Sequence, residues 1–127
     1  MSDIEFDFSD LQALSADLGR AGYRGAQNVR QAVEVTARHV KDEARSLAGG
    51  LAHAPYYPQS ITYDIHVGLQ QTAAEIGPDK GGPQGALGNI LEYGTSNNAP
   101  IPHLGPALKA NEADFMEGLS RAVGDLL

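Results

Sequence analysis

The first half of the chain contains two stretches in which apolar residues recur at helical spacing. In residues 9–19, three leucines recur at steps of three and four before a glycine, which predicts a short amphipathic helix. From about Gly25 to Ala48, alanine, valine and leucine alternate steps of three and four, which predicts one long helix. The Gly49-Gly50 pair predicts where that helix ends.

After residue 54 the apolar period changes from helical to two. Pro55 and Pro58 cannot continue a helix, because proline lacks the amide donor and restrains the residue before it. Alternation of apolar and polar residues from Ile61 to Val67 then predicts a strand with one buried face. A second, weaker strand is predicted over residues 72–76, close enough to form a hairpin with the first.

The last third of the chain begins with a stretch rich in glycine and proline. Residues 77–88 predict a long flexible loop. Residues 89–94 return to apolar character, and the pattern leaves open whether they form a helical turn or a short strand. After a turn-forming run over 95–102, a last helix is predicted from about Pro106 to Leu126.

Grouped helices and strands predict a single α+β domain over residues 1–127. In this architecture a long N-terminal helix and a C-terminal helix pack on a small antiparallel sheet. The apolar stripe of the long helix, which includes Val33, Val40 and Leu47, should face the apolar side of the 61–67 strand, since each is the continuous apolar face of its element.

Composition narrows the classes of protein that fit. The 127 residues carry a formal charge of −7 and no cysteine, which excludes disulfide scaffolds, thiolate metal sites and cysteine nucleophiles. No stretch approaches the roughly 20 apolar residues that cross a bilayer. Because the opening residues are acidic, unlike a signal peptide, we expect a soluble protein with no targeting segment and no membrane partner.

The charges are segregated along the chain. Residues 1–19 carry five acidic residues and no basic one, whereas residues 20–45 carry six basic residues against three acidic ones. The acidic segment of one copy could therefore meet the basic helix of another, although solvated faces without a partner fit the composition equally well. The acidic balance argues against binding duplex DNA over a broad face.

No catalytic, metal-binding or cofactor-binding motif is found. The four histidines, His39, His53, His66 and His103, lack the spacing of metal-ligand pairs. Serine nucleophile and phosphate-loop patterns are absent, and the carboxylates show no sign of a catalytic pair. We therefore expect a protein that is not an enzyme and that has no metal and no cofactor.

One segment does have a specific pattern. Leu91-Glu92-Tyr93-Gly94-Thr95 is followed by a run from Pro100 to Leu108 that contains three prolines. Gly94 permits a tight backbone turn and is expected to adopt a positive φ, while Pro100 and Pro102 stiffen an extended segment. Pro106 suits the first turn of a helix.

This run resembles the hallmark of the small tail-completion or head–tail joining proteins of long-tailed bacteriophages. That family has a Glu-aromatic-Gly-Thr motif, then a proline-containing segment, and then a Pro-Ala-Leu start to a charged C-terminal helix. The long N-terminal helix is also similar to the opening helix of the family, so the resemblance spans most of the chain. His103-Leu104 departs from the family's usual Pro-Phe.

The resemblance implies a structural virion protein of the phage neck, made in the host bacterial cytoplasm. It implies a homo-oligomeric ring, expected to be a hexamer, with the head-side connector or stopper and the tail terminator or tail tube as partners. DNA would pass through without specific binding. Candidate residues for subunit or partner contacts are those of the motif: Glu92, Tyr93, Gly94, Thr95, Pro100, Pro102, His103 and Pro106.

The loop at 77–88 supplies candidates for the lumen or a docking surface, namely Asp79, Lys80, Gly81 and Gly82. Three other functions stay open at this point. The chain could be a tail terminator or another tail-assembly protein. It could be a small intracellular interaction or adaptor module, or a hydrolase that depends on one of its histidines.

Overall fold

The fold is taken from a computed structural model that describes residues 4–7, 12–17, 22–68 and 71–124. In chain order the elements are β1 Ile4–Asp7, β2 Gln12–Asp17, α1 Gly22–Leu47, β3 Ile61–Val67, β4 Gln71–Pro78, α2 Gly88–Tyr93, α3 Leu104–Ala110 and α4 Glu112–Gly124. Two short 3₁₀ helices, Tyr57–Ser60 and Gly85–Leu87, precede β3 and α2. None of the described helices is long and apolar enough to cross a membrane.

The described strands form one antiparallel sheet in the order β1-β2-β4-β3. β3 and β4 form the predicted hairpin, with Ile61 opposite Pro78 and Val67 opposite Thr72. β2 pairs with the other side of β4, and β1 pairs with β2. The predicted α+β class, with a long helix and a C-terminal helical region against a small antiparallel sheet, is confirmed.

Helix α1 is the centre of the packing. Its alanine and valine stripe is buried at helical spacing, with Val33, Val40 and Ala44 fully inaccessible. The helix contacts β3 and β4 as well as α3 and α4, so it shares one core with both the sheet and the C-terminal helices. Leu47 was predicted in the helix stripe and Val67 on the strand face that meets it, but both are exposed, because they are the last residues of α1 and β3.

The predicted helix over residues 9–19 is wrong, because Gln12–Asp17 is strand β2. A helix of this length is marginal on its own, since nucleation is costly and few hydrogen bonds repay it. Pairing with β4 in register from Gln12 opposite Ile76 to Asp17 opposite Gln71 satisfies the backbone instead. The flanking parts of the prediction, 9–11 and 18–19, lie outside the described residues.

The single C-terminal helix predicted from about Pro106 to Leu126 is two helices. α3 begins at Leu104 and ends at Ala110, and α4 begins at Glu112. At the break, the Asn111 side-chain amide donates to the Ala107 carbonyl at 2.8 Å. Asparagine side chains compete in this way with helical hydrogen bonds. Residues 125–127 lie outside the described part of the chain.

The stretch predicted as a flexible loop over 77–88 is a packed turn. β4 continues to Pro78, and the Asp79 N–H donates to the Ser60 carbonyl at 2.8 Å. A Cβ on Gly85 would collide with the Asp79 carbonyl oxygen, so the chain folds back here more closely than a side chain allows. The Gln84 side chain also accepts from the Tyr56 N–H at 2.9 Å, which fastens this turn to the segment before β3.

Candidate functional site

The motif segment makes a sharp turn at Gly94. Its φ is +75°, as expected, and a Cβ there would lie 2.7 Å from the Pro100 nitrogen and 2.8 Å from the Asn98 carbonyl oxygen. The Gly94 N–H closes helix α2 by donating to the Ile90 carbonyl at 2.8 Å. Residues 89–94, left open between helix and strand, are therefore helical and end at a glycine that no other residue replaces without strain.

After the turn, the chain returns alongside α2. Thr95 and Asn98 form an isolated bridge, and the Ile101 N–H donates to the Leu91 carbonyl at 2.7 Å. The return brings residues 103–105 next to a side chain of α2. We call residues 90–106, which include the end of α2 and the start of α3, the clasp.

The side chain at the centre of the clasp is Glu92, which is almost fully buried. One of its oxygens accepts from the main-chain N–H groups of His103 at 3.0 Å and Leu104 at 2.7 Å. Its other oxygen accepts from the Gly105 N–H at 3.3 Å. The carboxylate thus caps the first turn of α3 from a neighbouring helix, a position where the unpaired N–H groups and the helix dipole favour negative charge.

His103 links this cap to the core. It is fully buried, and its Nδ1 lies 2.9 Å from the Ile101 carbonyl oxygen and 3.1 Å from a Glu92 oxygen. Because both neighbours are acceptors, Nδ1 carries the proton. The other ring nitrogen, Nε2, lies 2.6 Å from the Tyr57 hydroxyl oxygen, so in the neutral ring it accepts from that hydroxyl.

Tyr57 completes the network from the 3₁₀ helix before β3. Burial raises the pKa of its hydroxyl well above the usual range, and the Glu92 charge raises that pKa further. The hydroxyl therefore stays protonated and continues to donate to His103. The rings of Tyr57 and His103 meet edge to face with centroids 5.2 Å apart, which adds packing to the hydrogen bond.

Carboxylate, imidazole and hydroxyl in this order also form the relay that activates a nucleophile in some hydrolases. Here, however, Tyr57 and His103 are fully inaccessible, and the carboxylate already accepts three main-chain N–H groups. Such a network can position α3 and hold its first turn. Its imidazole and its hydroxyl are closed to a substrate.

The residues predicted as contact candidates therefore divide into two groups. Glu92 and His103 lie inside the clasp, so the expectation that they touch a partner directly is replaced by an internal role. Five others are exposed or half-buried on its outside: Tyr93, Thr95, Pro100, Pro102 and Pro106, with Gly94 in the turn between them. Ile90, which was not predicted, adds a side chain that is 48% exposed.

The second predicted group, residues 79–82, lies in the packed turn. Asp79, Lys80 and Gly81 are exposed, and Gly82 is half-buried. The Asp79 carboxylate accepts from the Gly81 N–H at 2.9 Å, which stabilises the turn from within. These residues are accessible to a partner, on a turn that hydrogen bonds hold against the segment before β3.

The other histidines do not join this site. His39, His53 and His66 are exposed, and the Nε2 of His66 lies 3.6 Å from a Glu75 carboxylate oxygen. Within the described residues, no three potential ligands are grouped in a way that could hold a metal ion. An open groove of about 540 Å³ lies between α1 and α4, lined among others by His39, Asp114 and Arg121.

Tyr57 is the member of the network that sequence reasoning missed. The Ala54–Pro58 stretch indicated only the end of a helix. A tyrosine between two prolines carries no periodic signal, and its partner is 46 residues away. Only the tertiary fold brings the two together.

Comparison of the chain with protein-family models, curated proteins and solved structures gave no match.

Proposed function

We propose that this chain is a structural protein of a bacteriophage neck, which assembles as a ring of subunits between the head-side connector and the tail. The observation that carries the proposal is the cap of α3 by Glu92. The residues that carry the resemblance to tail-completion proteins are the ones that set the direction of α3. A motif with that task fits a protein that presents a fixed surface to its neighbours.

The outside of the clasp is the surface that such a subunit would present. Ile90 and Tyr93 are about half exposed on α2, and Pro102 and Pro106 are exposed on the returning chain and α3. Aromatic and aliphatic side chains held on a rigid frame suit a specific contact, because little conformational entropy is lost when they bind. We assign this surface to a neighbouring subunit or to the connector.

The charge of the chain supports a place around the DNA passage. With a formal charge of −7, a ring of these subunits would repel DNA phosphates and let the genome slide. The exposed turn with Asp79 is the candidate for the lumen or for docking. A tail terminator or another tail-assembly protein would use the same features, so these roles remain alternatives within the proposal.

The hydrolase is the weaker hypothesis, because the histidine with a carboxylate and a hydroxyl partner is sealed in the interior. An adaptor module would bind its partner one to one. Stoichiometry separates it from a ring, since a closed symmetric assembly needs several copies. The mass of the protein alone, and after mixing with connectors or tail tubes, measures this difference.

The decisive experiment replaces Gly94 by valine in the phage that encodes the chain. We expect filled heads and free tails to accumulate unjoined in electron micrographs, because the turn and α3 are displaced. Gly118→Ala is the control, since a Cβ there meets Ala32 at an ordinary 3.7 Å. Normal numbers of joined virions from a stably expressed Gly94→Val protein would refute the proposal.

A further inference from the structure

The described sheet has one unpaired edge at each end. β3 pairs only with β4, and β1 pairs only with β2, among the strands that the structure describes. An unpaired edge presents main-chain donors and acceptors to any other extended segment. The edge of β3 is the longer of the two, with seven residues against four in β1.

The register shows which main-chain groups are available on β3. At the two ends of the hairpin, Asp79 N–H donates to the Ser60 carbonyl and Gly68 N–H donates to the Gln71 carbonyl. Since successive residues of a strand point their main-chain groups to opposite sides, those of Tyr63, Ile65 and Val67 point away from β4. Within the described residues they have no hydrogen-bond partner in the sheet.

Basic side chains of α1 contact β3 and the turn that follows it. The Arg45 guanidinium donates to the Ile61 carbonyl through Nε at 3.0 Å and Nη2 at 2.7 Å. Lys41 Nζ lies 5.8 Å from the centre of the Tyr63 ring, and Arg30 Nη2 lies 3.5 Å from the Gly68 carbonyl oxygen. Arg45 and Lys41 thus contact the first half of β3, and Arg30 lies at its hairpin end, where Gly68 follows the strand.

The net charge around these basic side chains stays positive when the neighbouring acidic residues are counted. Arg38 lies on the same side of α1 by its spacing, and it is exposed. The acidic residues nearby are Glu34 on that side of the helix, Asp42, whose carboxylate lies 3.3 Å from Lys41 Nζ, and Asp64 on β3. The edge therefore favours an acidic partner over a basic one.

Strand β1, at the other end of the sheet, belongs to an acidic part of the sequence. Residues 1–19 carry five acidic residues and no basic one, and they include β1. The register shows that the main-chain groups of Leu14 in β2 point toward Ala74 of β4. Phe6 of β1 lies opposite Leu14, so the main-chain groups of Phe6, and those of Ile4 two residues earlier, point away from β2. β1 thus offers an unpaired edge within the acidic part of the chain.

We infer that the β3 edge of one subunit binds the β1 edge of the next, so that the sheets of neighbouring copies join. Two different surfaces meet in this contact, which makes it head-to-tail, and such contacts close into rings when the rotation between subunits allows. Strand addition supplies the main-chain hydrogen bonds, and the charge asymmetry selects this pairing over two β3 edges together. The inference deepens the proposed function and rests on the ring named there.

Two proline variants test the contact on the full-length purified protein. Val67→Pro removes an outward N–H from β3, and Val67 is 57% exposed, so little packing is lost. Phe6→Pro removes the outward N–H of β1. Val67→Ala and Phe6→Leu are the matched controls that keep these donors. Each proline should weaken assembly about tenfold or more relative to its control, because a main-chain hydrogen bond is lost and its acceptor is left unpaired.

Mixing the two proline variants gives the sharpest result. Each retains one intact edge. At a concentration where the wild-type protein assembles and each proline variant alone is monomeric, the mixture should therefore form pairs of the 13.4 kDa chain and nothing larger in sedimentation. The wild-type protein and both controls should form larger species that dissociate at high salt, because screening weakens the charge attraction. Thermal melting of every variant checks that it is folded, and exposed Arg38→Glu should weaken assembly without any proline.

Several outcomes would overturn the inference. They are a wild-type protein that is monomeric at every soluble concentration, a Val67→Pro protein that assembles like Val67→Ala, and pairs formed by Phe6→Pro alone. Failure here is distinguishable from failure of the proposed function. If assembly depends on the edges but Gly94→Val gives normal virions, the strand contact is supported and the neck role is refuted. If the purified protein is monomeric but Gly94→Val leaves heads and tails unjoined, the neck role is supported and the strand contact is refuted.

Discussion

At the scale of single residues, a glutamate performs a task that is usually local to one helix. Helix caps are commonly Ser, Thr, Asp or Asn at the residue before the first turn. In this chain Glu92 reaches α3 from α2, eleven residues before His103, and accepts three N–H groups. The clasp therefore connects two helices through one carboxylate.

Replacing Glu92 by alanine should lower the free energy of unfolding by about 2–4 kcal/mol, because buried N–H groups lose a charged acceptor. The measurement is urea unfolding followed by circular dichroism. Glu75→Ala is the matched control: Glu75 also has a histidine partner, but that pair is exposed, so its loss should cost about 0–1 kcal/mol. Equal effects of the two substitutions would show that Glu92 is not a structural cap.

Gly94 matters through its backbone rather than through contacts. Gly94→Ala should lower the free energy of unfolding by about 1–3 kcal/mol, since φ is +75° and the new Cβ is too close to Pro100. Gly118→Ala replaces a glycine inside α4 and should be neutral or stabilising by up to about 1 kcal/mol. Thermal unfolding of the two proteins side by side decides the point, and a Gly94→Ala protein as stable as wild type would contradict it.

At the scale of elements, α1 connects the two halves of the molecule. Its buried stripe touches the sheet as well as α3 and α4, which explains why an element read from periodicity alone is the best predicted one. Short elements behave differently. Strand β2 depends on its pairing with β4. The break between α3 and α4 depends on one hydrogen bond of the Asn111 side chain.

Two substitutions on α1 measure how far its core extends. Val40→Asp should cost about 3–5 kcal/mol or prevent folding, because Val40 is fully buried and the new charge has no partner. Leu47→Asp should cost less than about 1 kcal/mol, since Leu47 is 42% exposed at the end of the helix. Chemical unfolding of both variants tests this, and a Leu47→Asp protein as unstable as Val40→Asp would place the end of α1 in the core.

At the scale of the whole molecule, the buried Tyr57 makes stability depend on pH in the alkaline range. Its pKa in the folded protein is raised above the unfolded value of 10.0. Between these two values the unfolded chain binds fewer protons than the folded one, so stability falls as pH rises. The contribution is fully present below pH 10 and is lost progressively above it.

The neighbouring tyrosine provides the control. Tyr57→Phe should cost about 1–3 kcal/mol at pH 8, because His103 Nε2 loses its donor, and should lose less stability than wild type between pH 8 and pH 11. Tyr56→Phe, at an exposed position, should match wild type at both pH values. An unchanged alkaline slope in Tyr57→Phe would show that another group causes it.

Elements with a long, local signal could be predicted from the amino-acid pattern. The apolar period of α1, the alternation of β3 and the turn at Gly94 follow from spacing and from the conformational freedom of glycine, and each lies where it was predicted. These patterns are sufficient to predict the α+β class, because the apolar stripe of a helix and the apolar face of a strand must each pack against another element.

Features that depend on distant partners could not be predicted in this way. Leucine spacing over 9–19 suited a helix, but its described part, Gln12–Asp17, is a strand whose backbone is satisfied by pairing with β4. Glu92 and His103 were recognised as members of a motif, yet their burial and their link to Tyr57 come from chain segments that meet only on folding. The physical reason is the same in both cases: hydrogen bonds between remote segments outweigh weak local preferences, and no spacing along the chain reports them.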